Sequence, residues 1–152
     1  MELAQVNVAR LRADADSRAV AGFVGALAVV NQLADQSPGF VWRLPPGEGH
    51  AFTAADGDGR DVVNLSVWAS YEHLHEFVYR SAHGAFLRRK SEWFEPVPQP
   101  STALWWVRPG ERPTVDHALK RLAVLRREGP SPRVFGLRRR FTPDGRPVAR
   151  RR

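Results

Sequence analysis

Tyr79 and His83 stand one helical turn apart, and His75 lies one turn before Tyr79. On a continuous helix the three share a stripe. An imidazole with an unperturbed pKa of about 6.5 can take a proton from a carbon acid near neutral pH. The same ring can supply an axial ligand to haem iron. A third reading makes His83 a structural group, bonded to a backbone carbonyl where the helix restarts near Ser81. A second set of candidates carries no charge. Asn7, Asn64 and Ser66 lie in two strand-like runs, 3–8 and 62–68, on the face that also carries Gln5 and Trp68. Amides and a hydroxyl beside an indole suit the lining of a semi-polar cavity better than a solvent face. Trp42, Trp68 and Trp106 can wall an aromatic ligand, or equally serve a core. Arg88, in the run Arg88-Arg89-Lys90, can hold a carboxylate or phosphate; an outer helix face is the plainer reading of that run.

Other chemistry is poorly supported. His73 and His75 are two apart and do not share a helix face, and no third ligand completes a metal site. Asp56, Asp58 and Asp61 do not follow the calcium-loop pattern. Gly57-Asp58-Gly59 lacks the strand-to-helix setting of a phosphate loop. With no cysteine in the chain, thiolate metal sites and disulfides are excluded.

The elements that must position these residues follow from periodicity and punctuation. Alternation predicts a first strand over about 2–9, with Ala4, Val6 and Val8 on one face and Gln5 and Asn7 on the other. A helix capped by Asp16 or Ser17 runs to about residue 35 and ends at Ser37-Pro38-Gly39. Strands follow at 40–44 and 61–68, then a helix capped by Ser70. The proline-rich stretch 95–100 is a stiff spacer. A fourth strand spans 102–107, and Thr114 caps a last helix ended by Gly129-Pro130. Residues 134–141 form an edge strand or arm. The order is β-α-β-β-α-β plus a C-terminal helix, an α+β, ferredoxin-like arrangement. Strands one and three are central, so Gln5 and Asn7 neighbour Asn64 and Ser66. The helices are expected on the Val6/Leu65 face. The other face, with its tryptophans, then stays uncovered, which predicts pairing of two copies as a homodimer.

The chain has 152 residues and a formal charge of +7. Eight arginines and one aspartate in residues 129–152 account for all of that excess. One domain over 1–141 and a basic, disordered tail over 142–152 are expected, with weak nucleic-acid contact by the tail as a minor option. The start lacks a secretory pattern, and the apolar stretch 19–34 is too short to span a bilayer. A cytoplasmic protein of bacterial type, with no membrane partner, is the expectation.

The runs 37–44 (SPGFVWRL), 63–68 (VNLSVW), 77–83 (FVYRSAH), 87–94 (LRRKSEWF) and 104–107 (LWWV) resemble an uncharacterised bacterial domain-of-unknown-function family, family 3291. The resemblance spans about residues 2–141. It implies a dimeric α/β barrel, the fold of antibiotic-biosynthesis monooxygenases, some haem degraders and small isomerases, and it implies no reaction. On these grounds the barrel is expected to bind a small apolar or aromatic molecule. Asn7, Asn64 and Ser66 would orient its polar end, Trp42, Trp68 and Trp106 would wall it, Arg88 would hold an anionic group, and Tyr79 and His83 would guard the mouth and move protons. Cofactor-independent oxygenase or isomerase chemistry is the leading enzymatic expectation, with no cofactor and no metal. A haem-binding or haem-degrading protein and a non-catalytic ligand-binding module are the alternatives.

Overall fold

The computed structural model describes residues 1–14, 16–45, 60–80 and 88–150. The elements are β1 (Glu2–Leu11), α1 (Ala21–Asp35), β2 (Phe40–Arg43), β3 (Asp61–Trp68), α2 (Tyr71–Arg80), a single-turn α3 (Lys90–Trp93), a two-residue β4 (Phe94–Glu95), β5 (Thr102–Val107) and α4 (Val115–Glu128). Capping follows the sequence closely. Ser17 Oγ accepts from the Ala19 amide at the short 3-10 turn that opens α1. Thr114 Oγ accepts from the His117 amide at the head of α4, and Ser70 Oγ accepts from the His73 amide at α2. Each bond satisfies one donor that a helix start would otherwise leave bare.

The sheet is antiparallel, in the order β2-β3-β1, and the far edge of β1 is shared between β5 and β4. This is the ferredoxin-like α+β fold with an added C-terminal helix. Register places Gln5 opposite Ser66 and Asn7 opposite Asn64. At the end of β1, Arg10 bonds Asp61 of β3 at 3.2 Å and Glu95 of β4 at 2.8 Å, its register partners on both sides. That cluster fixes three strands to one guanidinium.

Both sheet faces are covered, and this corrects the expected layering. Ala4, Val6, Leu65, Val67 and Trp105 pack under Ala118, Leu122 and Leu125 of α4. The opposite face holds Leu3, Trp68 and Leu104 under Ala34 of α1 and Leu74 and Phe77 of α2. At its other end Leu11 and Val62 meet Val20, Phe23 and Trp93. Helices α1 and α2 therefore lie on the Gln5 side, not on the Val6 side. β1 is apolar at both ends of its Gln5 face, where Leu3 and Leu11 bracket Gln5 and Asn7, and the two helices bury those ends. Trp68 is 1% exposed within one chain, so among the described residues the face that motivated a homodimer is covered by α1 and α2 rather than bare.

Residues 134–141, expected as an edge strand or arm, and the turn after them are held by backbone bonds and packing. Phe135 exchanges both backbone bonds with Leu104 of β5, at 2.8 and 2.9 Å, which shields part of an open strand edge. Phe141 is buried with Leu3 and Trp68. Beyond it the chain turns, with Thr142 N donating to Arg146 O and Val148 N donating to Arg140 O, both at 2.8 Å. Pairing of the segment with itself and a buried aromatic outweigh its arginine content.

Gly39, just after α1, takes a φ of +76° that only glycine adopts without cost. A Cβ there would lie 2.1 Å from Cγ of His73, whose Nδ1 is 2.8 Å from Ser70 Oγ. Gly39→Ala is expected to destabilise the chain by about 2 kcal/mol or more, from backbone strain and the clash together. Urea unfolding measures this. Adding His73→Ala removes the ring contacts but keeps Cβ 2.6 Å from the new methyl, so it should return only part of the clash and leave the backbone strain of about 1–2 kcal/mol.

Candidate functional site

On the face beneath α1 and α2, β1 and β3 bring four polar side chains into one row. Trp68 Nε1 donates to Ser66 Oγ at 3.0 Å. Gln5 Nε2 donates to the same oxygen at 3.0 Å and to Asn64 Oδ1 at 3.3 Å. Gln5 and Ser66 are 8% and 6% exposed, whereas Asn64 is solvent-exposed. The row thus runs from a fully buried indole to an open amide. The alternation of the two strands explains the juxtaposition, because residues on one parity share a face and register aligns the two sets.

A donor count gives the row its polarity. Ser66 Oγ has two lone pairs, and two N–H groups occupy them. Its own O–H then has no acceptor among the described residues. Asn64 accepts through Oδ1, which leaves its NH2 turned away from Gln5. Gln5 uses both protons of Nε2, and its Oε1 has no donor among the described residues. The row presents donors from Ser66 and Asn64 and one acceptor from Gln5, in surroundings of Leu3, Leu104 and Trp68.

The remaining expected site residues divide. Asn7 is half-buried and is held by β5, its Nδ2 donating to Thr102 Oγ1 at 2.7 Å and to the Ser101 carbonyl at 3.5 Å. It flanks the row without being bonded to it. Trp68 lies edge-on to Phe40 and stacked on Phe77, with ring centroids 5.5 and 5.1 Å apart. Trp106 shares the face, but its Nε1 donates to the Phe141 carbonyl at 2.8 Å, so the C-terminal arm claims it. Trp42 is on the opposite face, with the α4 core and the Arg112 guanidinium 5.9 Å from its ring. It does not join Trp68, because the pairing of β2 with β3 shifts register between Phe40 and Trp42 and reverses the alternation. Arg88 is exposed. Tyr79 is 53% exposed, and its ring lies 4.6 Å from His75, tilted by 42°. His83 lies outside the described residues. Gln5 is the member that the candidate set omitted, although its parity and its place opposite Ser66 mark it.

Burial pushes the Tyr71 phenol above its usual value near 10, with the Arg140 charge opposing and Tyr79 and Glu72 adding to the rise. A phenol that holds its proton longer in the folded chain stabilises that chain below the ordinary tyrosine pKa. The contribution is lost as pH rises from that value through the raised one. In a Tyr79→Phe background the only phenol left is Tyr71, because the chain has two tyrosines. Phenolate absorbance should then appear at higher pH in the native protein than in the urea-unfolded one, and coincident curves would remove the effect.

Among the described residues, no helix is long and apolar enough to cross a membrane, and no three histidine or acidic side chains gather to hold a metal ion.

The fold and the row define an α+β, ferredoxin-like protein with an amide–hydroxyl–indole chain under its helices. The chain belongs to the family described as Domain of unknown function (DUF3291), whose pattern matches residues 2–151 and so takes in the basic C-terminal segment. Among solved structures it is similar to a protein of unknown function, NE2512 from Nitrosomonas europaea, at 12% identity and a TM-score of 0.50, covering 74% of this chain and 95% of that one. It is also similar to SnoaB, a cofactor-independent oxygenase from Streptomyces nogalater, at 17% identity and a TM-score of 0.49, covering 70% and 93% of the two chains. An asparagine variant of SnoaB matches at 16% identity and the same TM-score. At these identities the NE2512 likeness bears on fold alone. No curated protein matches the chain.

Proposed function

We propose that this protein binds a small, largely apolar or aromatic molecule through an oxygen atom, between the sheet and helices α1 and α2. The observation that carries the reading is the row itself, a connected chain of hydrogen bonds from buried Trp68 through Ser66 and Gln5 to exposed Asn64. Buried polar groups are ordinarily satisfied. A buried hydroxyl whose lone pairs are both filled has only its proton to offer, and a carbonyl, enol or phenol oxygen would accept it. Apolar neighbours would hold the remainder of the molecule.

The same donors suit an oxygen that gains negative charge, as when a proton leaves the carbon next to a carbonyl. This supports cofactor-independent oxygenase or isomerase chemistry as the finer proposal. None of Gln5, Asn64, Ser66 and Trp68 is a base near neutral pH, so turnover requires a base beyond the row, and His83 is the candidate to replace.

Calorimetric titration with 1-naphthol and with naphthalene tests the binding reading, since the two differ by one oxygen. Naphthol is expected to bind about tenfold tighter, the worth of one good buried hydrogen bond, and Ser66→Ala should narrow the gap. Equal affinities would sink the proposal. Native mass spectrometry of the same sample tests the homodimer, which is now a proposal without the exposed face that first suggested it. A Soret band in the purified protein would turn the reading towards haem.

A further inference from the structure

A concavity lies between α2 and the C-terminal arm. Tyr71, Glu72, His75 and Glu76 form one wall, and Leu137, Arg138, Arg140 and Arg150 contribute to the other. Several described arginines are paired with carboxylates. Arg43 meets Asp35, Arg89 meets Glu92, Arg127 meets Glu128 and Arg146 meets Asp144. Arg138, Arg140 and Arg150 have no carboxylate partner among the described residues, although Glu72 and Glu76 share the concavity with them. Three unpaired guanidinium groups on one wall are a site of positive potential for an anion.

The aromatic content narrows the kind of anion. The Arg140 guanidinium carbon lies 3.6 Å from the centroid of the Tyr71 ring, so one face of a planar cation is fixed on a planar ring. His75 adds tilted ring contacts beside it, 5.8 Å from Tyr71 and 4.6 Å from Tyr79. Guanidinium planes and aromatic rings are the surfaces on which unstacked bases lie. The in-plane N–H groups of arginine bond phosphate oxygens. Glu72 repels a bare polyphosphate, yet its carboxylate can accept from the exocyclic amino group of a base. Together these features fit a ligand with an anionic end, a flat ring and an amino edge.

We propose that this concavity binds a nucleotide unit, its base stacked on the Arg140–Tyr71 pair and its phosphate held by Arg138 and Arg150. The unit can come from a free mononucleotide or from single-stranded RNA. The site is separate from the polar row, and neither depends on the other.

Fluorescence anisotropy of a short labelled oligoadenylate with the full chain provides the test, with AMP and inorganic polyphosphate as competitors. Binding is expected at low salt and should weaken as salt rises, with a log–log slope of about −0.7 for each phosphate neutralised. The double variant Arg138→Ala/Arg150→Ala should lose roughly tenfold in affinity, and Arg140→Lys should lose about as much because it keeps the charge and removes the plane. Arg146→Ala, whose side chain is already paired with Asp144, should stay within about twofold, the size of an exposed ion pair. Circular dichroism on each variant separates a lost site from a lost fold. Displacement by AMP at concentrations similar to the strand assigns the free nucleotide as source; affinity that grows with strand length and resists AMP assigns RNA. Polyphosphate competing as well as AMP, together with an indifferent Arg140→Lys, would overturn the proposal in favour of charge alone. Absence of binding at low salt would overturn it entirely.

Discussion

Trp68→Ala should lower the stability of the folded chain by about 3–5 kcal/mol, the usual cost of removing a large buried aromatic. Trp68 is 1% exposed, lies between Phe40 and Phe77, and packs with Leu3, Leu74 and Leu104. Its loss opens a cavity where β3, α2 and the Phe135–Phe141 arm converge. Trp68→Phe separates two contributions. It keeps most of the ring packing and deletes Nε1–H, so it should cost only about 1–2 kcal/mol while freeing a lone pair on Ser66. Urea titration of both variants measures the difference. If Trp68→Ala cost under about 1 kcal/mol, the packing beneath α2 would be looser than a protein interior allows. If Trp68→Phe cost as much as Trp68→Ala, the hydrogen bond rather than the ring would dominate this corner.

Trp68 also shows how far the sequence could be read. Alternation in two short runs placed Gln5, Asn7, Asn64, Ser66 and Trp68 on one face, and the register of β1 with β3 places them so. Capping by Ser17, Ser70 and Thr114 was equally legible, because a cap is a local matter of one side chain and one amide. Layering was not. Ala4, Val6 and Val8 marked one apolar face, but Leu3 and Leu11 make the Gln5 face apolar at its ends, and only packing decides which helix goes where. Trp42 was misplaced by a single register shift in β2, which reverses a side chain without leaving a glycine or proline to announce it. Trp106 had the right parity, yet a carbonyl thirty-five residues away took its N–H. The arginine-rich end read as disordered by composition, whereas Phe141 and a hydrogen-bonded turn anchor it. The layering and the contacts of Trp42, Trp106 and Phe141 are long-range, and pattern reading over a window of residues cannot see them.

The second large effect is expected on ligand discrimination. Gln5→Leu replaces an 8% exposed amide with an apolar side chain of similar size, beside Leu3 and Leu104, which can accept it. Leucine gives up the donors to Ser66 and Asn64, so Ser66 keeps only the Trp68 bond and becomes free to turn its proton back into the row. Stability should fall by about 1 kcal/mol, the cost of one buried hydroxyl left short of a partner. Preference for naphthol over naphthalene should shrink to near unity, because the buried O–H is no longer held outward. Ser66→Ala removes the donor itself and should give the same loss of preference. If the two side chains act as one unit, the double variant should lose little more than either single one, with a coupling energy of about 0.5–3 kcal/mol between them. Strict additivity would mean that Gln5 and Ser66 touch a ligand independently, or not at all. In that case the bonds between them are only sheet packing, and the polar row is a structural seam without a ligand to orient.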